Sequence, residues 1–163
     1  MTRNARASQP FEEPQIPVQI KLAAAWASLM FLYIYVDYLV LHKPGHLEGI
    51  LGGKIWEFDI SQTFMTAAFV SMSLPSLMIL LSVTLPARAA RVANFVVAGL
   101  FIPYSIFNAA GETWLVFFGL SIGIELVLLA YILRTAWAWP RKAVHSVAGT
   151  GARDSHLPRK AHA

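Results

Sequence analysis

Apolar residues run along the chain in four long stretches, 20–41, 62–85, 92–110 and 114–139, separated by short polar punctuation. Each reaches or approaches the roughly 20 residues that an α-helix needs to cross the hydrocarbon core of a bilayer. The pattern predicts an all-α membrane protein, a four-helix transmembrane bundle over 20–140. The first stretch starts late, exceeds a signal-peptide core of about 7 to 15 apolar residues and lacks a small-residue cleavage site after it, so it is expected to stay as a helix. The flanking segments 1–19 and 141–163 are polar, rich in Pro or basic residues and without apolar periodicity, which predicts disordered tails. Between the first two spans, HKPGHLEGILGGKIWEFDIS is of another kind. Its Leu47, Ile50, Leu51, Ile55, Trp56 and Phe58 suit the membrane interface, and the segment is expected to cover the outer mouth of the bundle.

Within the spans the polar residues are periodic. At about 100° per residue, Glu125 shares a stripe with Trp114, Phe118, Ser121, Leu128 and Ile132, while Gly119 and Gly123 fall on a separate face. Their spacing is the small-xxx-small pattern that lets helix backbones approach, within the chain or across a homodimer, with packing inside the chain favoured. The first span aligns Trp26, Met30, Tyr33 and Asp37. The second aligns Gln62, Thr66, Phe69, Ser73 and Ser76, and the third aligns Asn94, Ala98, Phe101, Ser105 and Asn108. Polar groups in lipid turn inward, so these stripes are expected to face one another.

Composition fits lipid as the solvent, with 56% hydrophobic and 13% charged residues, against about 25% charged in soluble domains. There is no cysteine, which excludes disulfides, thiol redox chemistry and cysteine metal sites. The net charge of +4 does not indicate nucleic acid, because the basic residues lie in the tails and one short loop rather than on a patch mixed with aromatics. They report topology instead. With the N-terminus inside, eleven basic residues fall on the inner side (Arg3, Arg6, Lys21, Arg88, Arg91, Arg134, Arg141, Lys142, Arg153, Arg159 and Lys160) and only Lys43 and Lys54 outside. That asymmetry predicts cytoplasmic N- and C-termini in an inner membrane.

Glu125 carries the sharpest chemical signal. An acid at the centre of an apolar helix costs about 2.5 to 3.5 kcal/mol on insertion scales, so it needs a partner, a water-filled pocket or a proton. Desolvation disfavours the charged form, and the residue is expected to be neutral at pH 7. Chain direction places Asp37 and Asn108 near the outer surface and Glu125 roughly 16 Å inward of Trp114 at 1.5 Å per residue. The expected polar pocket therefore comprises Glu125, Asp37, Tyr33, Ser73, Ser105, Asn108 and Ser121. Pro75 and Pro103 free the carbonyls of Ser71 and Gly99, to which a protonated Glu125 can donate. A structural hydrogen bond and a functional site both remain open for Glu125, whereas Asp37, Asn94 and Asn108 near span ends read more simply as interfacial or structural residues. His42 and His46 stand at ligand spacing, but Pro44 and Gly45 between them indicate a turn, so no metal site is assigned. Nucleotide, dinucleotide and zinc-hydrolase motifs are absent, Glu112 and Glu125 are too far apart along one span to act as a dyad, and no cofactor is implied.

The stretches YIYVDYLVLHKPGHLEGIL, ISQTF, LPSLMILLSVTLPARAARVAN and FFGLSIGIELVLL, with a closing WAW, cover the chain from about Lys21 to Trp139. In that order they resemble a bacterial family of four-span membrane proteins known only as a domain of unknown function. The resemblance implies that Asp37, Pro75, Asn94 and Glu125 belong to a recurring pattern. The chain departs from that pattern in FLYIYVD, where the family often has an Asn before the YxYxD stretch, and in SMSLPSL, where it often has an acid before the proline. The architecture is also similar to small four-helix proteins such as the DoxX-like group, an analogy of fold that implies no activity. The function expected is binding of a small molecule, lipid or proton in an outer-facing polar pocket, rather than enzymatic turnover. Two alternatives stand beside it: an accessory subunit that packs on a membrane-protein partner through Gly119 and Gly123, and a quinone-linked oxidoreductase partner.

Overall fold

The computed structural model describes residues 15–139. Its elements run α1 (Val18–Val40), α2 (His46–Leu51), β1 (Lys54–Ile55), β2 (Phe58–Asp59), α3 (Gln62–Thr84), α4 (Ala87–Phe107) and α5 (Leu115–Trp137). Four of these, α1, α3, α4 and α5, are long and apolar enough to cross a membrane. The protein is thus a multi-pass, four-helix membrane bundle. The tails expected to be disordered lie outside the described residues except for 15–19, and there the helix already begins at Val18.

Local sequence sets the helix ends. Ser61 caps α3 by accepting the amide of Phe64 at 3.1 Å, which supplies one of the donors left free at a helix N-terminus. Pro86 forces its predecessor out of the helical region, and Leu85 is accordingly extended at φ −74°, ψ 149°, ending α3. Helix α4 then starts at Ala87 and not at 92, because Arg88 and Arg91 are polar without being helix breakers. The α3–α4 connection shrinks to Leu85 and Pro86, and the Arg91 guanidinium lies 5.9 Å from the Trp137 ring centroid. At its other end α4 stops at Phe107, short of 110, in a turn that Gly111 closes at φ +80°.

The helices form a ring in which α1 and α4 each pack on both α3 and α5. Helices α1 and α4 therefore face each other across the diagonal, and their side chains meet at the centre. At the end of the bundle where α1 begins and α5 finishes, the interior is solid, built from Leu22, Trp26, Leu29, Met78, Ala98, Phe101, Leu129 and Ile132. Phe101 meets the ring of Trp26 edge-on at 6.4 Å and that of Tyr33 at 6.3 Å. Outward-facing side chains such as Phe31, Phe69, Leu100, Leu120 and Val127 are apolar and exposed, as a lipid-facing surface requires.

The opposite end carries the α1–α3 connection, folded as α2 and an antiparallel pair with Lys54 opposite Asp59 and Ile55 opposite Phe58. Its corner residue Trp56 adopts φ +53° and lays its indole against Gly111, where a Cβ would stand 3.1 Å from the ring. A second tie joins the same two loops, an ion pair between Lys43 and Glu112. The segment thus sits over this end of the bundle through Ile50 and Ile55, with one face of Trp56 on Gly111, while Leu47, Leu51, Phe58 and the rest of Trp56 remain exposed.

Candidate functional site

Two polar centres occupy the interior, and they differ in kind. The first joins three helices in the solid half. Asn94 of α4 accepts the Trp26 indole N–H at 2.7 Å and donates to the Ala90 carbonyl at 2.8 Å and to Ser82 Oγ at 3.2 Å. Trp26, Ser82 and Asn94 are fully buried, and none of their polar side-chain atoms is left without a partner. With every donor and acceptor engaged, this centre holds helices together and offers nothing to a ligand.

The second centre lies in the half that opens toward α2 and the hairpin. Here the helices enclose a cleft of about 440 Å³ whose lining includes Asp37, Tyr104, Asn108, Ser121 and Glu125, with His46 and Glu112 near the loops. Apolar wall comes from Phe64, Met65, Ala68, Met72 and Phe118. Glu125 is 3% exposed, and its Oε2 is buried with no hydrogen-bond partner among the described residues. Its carboxyl lies beside Ser105, whose hydroxyl is hydrogen-bonded to Tyr33 Oη at 2.9 Å. Asp37 is exposed to the cleft and belongs to neither of the ion pairs found among the described residues, Lys43–Glu112 and Lys54–Asp59.

Six of the seven expected pocket residues converge here. Glu125, Asp37, Asn108 and Ser121 line the cleft, and Tyr33 and Ser105 form the hydrogen-bonded pair behind Glu125. Ser73 does not belong to it. Its hydroxyl donates to the Phe69 carbonyl of its own helix at 2.8 Å, and Thr66 does the same to Gln62 at 2.8 Å. The expected inward stripe of α3 is wrong for that reason, since a hydroxyl satisfied within its helix has no need to face the bundle. Phe69 on that stripe is 74% exposed, and α3 turns Pro75, Met78 and Ser82 inward instead.

Glu125 is not seen donating to a carbonyl freed by proline: its Oε2 has no partner among the described residues, and the neighbour of its carboxyl is Ser105. Among the described residues Gly119 and Gly123 pack against no other helix; a Cβ at either would meet nothing within 4 Å. Packing inside the chain, favoured from the spacing, is corrected by that open space. His42 and His46 have separate environments, His42 against the Tyr38 carbonyl at 3.2 Å and His46 at the cleft. Sequence reasoning missed Tyr104 and Met72 as lining residues. Tyr104 stands four before Asn108 and Met72 three before the buried Pro75, so helical spacing held the signal once one residue of each pair was placed.

Among the described residues the cleft shows no hydrogen-bonded pair of nucleophile and base, and the chemistry of Glu125 there is that of an acid beside enclosed space: accepting, donating or exchanging a proton and pairing with a charge. Fold and site together define a multi-pass helical membrane protein with a carboxyl-floored cleft. The chain belongs to the family described as Family of unknown function (DUF6326), whose sequence profile matches residues 13–145. No curated protein and no solved structure matches it.

Proposed function

We propose that this protein is a membrane-embedded binding protein whose cleft receives a small amphiphilic molecule at the outer face of a cell's inner membrane. The observation that carries the reading is the unpartnered, buried Oε2 of Glu125, a residue that lines an open cleft. A purely structural acid would be saturated as Asn94 is, since an unpaired polar group in a low-dielectric interior costs about 1–3 kcal/mol. The size of the cleft, about 440 Å³, suits a small molecule, for which sites of about 300–1,000 Å³ are typical. The outward orientation rests on charge. Lys21, Arg88, Arg91 and Arg134 cluster at the end away from the cleft, where they favour the cytoplasm.

Native mass spectrometry of the protein extracted from its own membrane tests the reading. Ala68 is exposed on the cleft wall, so Ala68→Trp fills the space without disturbing the packed half. A bound molecule is expected on the natural protein and not on Ala68→Trp. Identical adducts on both would sink the proposal.

A further inference from the structure

We propose that the occupant of the cleft is a lipophilic monocation, an ammonium group on an apolar body, which exchanges with a proton on Glu125. The inference rests on the cleft being a binding site and names the chemistry it selects. Three acids line the cleft, Asp37, Glu112 and Glu125, and among the described residues no Lys or Arg does. Glu112 is already paired with Lys43, whose ammonium lies 5.7 Å from the Phe118 ring centroid. Asp37 and Glu125 are left without a countercharge, and Glu125 is 3% exposed with Oε2 aimed at no donor. An anionic ligand would meet the Asp37 and Glu125 carboxyls with no Lys or Arg of the described lining to offset them. A neutral donor would hydrogen-bond Glu125 but leave both acids without a countercharge.

A cation satisfies both features at once. Its charge pairs with Glu125 at the floor, and its body lies against Phe64, Tyr104, Phe118 and Met72, where aromatic faces attract a desolvated cation. The other titratable groups facing Glu125 are Asp37 and Tyr33 of α1 and Tyr104 of α4; His46 and the Lys43–Glu112 pair stand toward the loops, and α3 contributes none. The exchange balances simply. The O–H bond of the protonated acid breaks, the proton leaves to water through the cleft mouth, and the carboxylate holds the cation.

The test uses three probes of similar size in calorimetric titrations of the full chain in vesicles: benzyltrimethylammonium, its neutral carbon isostere neopentylbenzene, and phenylmethanesulfonate. The cation is expected to bind the natural protein at least about 30-fold more tightly than the isostere, as for a buried charge pair, and to release about one proton in weakly buffered solution at a pH where the acid is protonated. Glu125→Gln should abolish both the preference and the proton release. Should that variant fail to fold, Asp37→Asn, at an exposed position, is expected to weaken the cation alone by a few-fold and leave the isostere unchanged. Equal binding of cation and isostere, blocked by Ala68→Trp, overturns the charge selection and leaves the binding site standing. Preference for the sulfonate does the same. Failure of all three probes, together with identical mass-spectrometric adducts on the natural protein and Ala68→Trp, overturns both.

Discussion

Asn94 and Glu125 are both polar, both buried and both carried on apolar helices, yet Asn94 is engaged on every side and Glu125 Oε2 is not. The difference separates a residue that holds the bundle from one that serves the cleft. In lipid, helices gain little from the hydrophobic effect by associating, so packing and interhelical hydrogen bonds carry much of the stability. Asn94→Leu removes the acceptor of the Trp26 indole and the partner of Ser82. It is expected to cost about 1–3 kcal/mol, read as a lowered unfolding midpoint in detergent, with the cleft's ligand affinity unchanged. Both residues could be noticed in the chain, because each interrupts an apolar run. Their opposite states could not be, since saturation of Asn94 depends on Trp26, 68 positions away.

Helix by helix, periodicity succeeded where polar side chains need a partner beyond their own helix. On α4 it placed Asn94, Ala98, Phe101 and Ser105 inward, and all four are buried. On α3 it failed, because Ser and Thr satisfy themselves on the preceding turn and leave no signature of which way the helix faces. The open glycine face of α5 makes its own prediction. Because a Cβ at Gly123 meets no atom of the described residues within 4 Å, Gly123→Leu should not lower the unfolding midpoint of the monomer and is expected to raise its stability by up to about 0.8 kcal/mol through helix propensity. Size-exclusion chromatography with light scattering then reads the second role proposed for this face. A shift from dimer to monomer in the variant assigns the glycines to a subunit contact, and an unchanged mass assigns them to lipid.

The whole molecule is polarised along its axis, packed solid at the end where the chain enters and leaves and open at the end crossed by α2 and the hairpin. The orientation proposed from charge can be checked directly, since the natural chain has no cysteine to confuse labelling. Glu57→Cys, exposed in the hairpin, should react with a membrane-impermeant maleimide on intact cells. Arg88→Cys, exposed at the start of α4, should react only after permeabilisation. The reverse pattern would place the cleft in the cytoplasm and remove the outer-face part of the proposed function.

The number of spans, their approximate lengths and the position of each polar residue along them were legible in the chain, because a bilayer imposes a fixed thickness and penalises polar groups along one dimension. For that reason the presence of Asp37, Asn108, Ser121 and Glu125 in one half of the bundle followed from position along the helices alone. The rotation of α3, the isolation of Gly119 and Gly123, the laying of Trp56 on Gly111 and the empty valence of Glu125 did not. Each of these depends on which atoms of distant segments arrive beside it, and such contacts are properties of the assembled ring, not of any one helix.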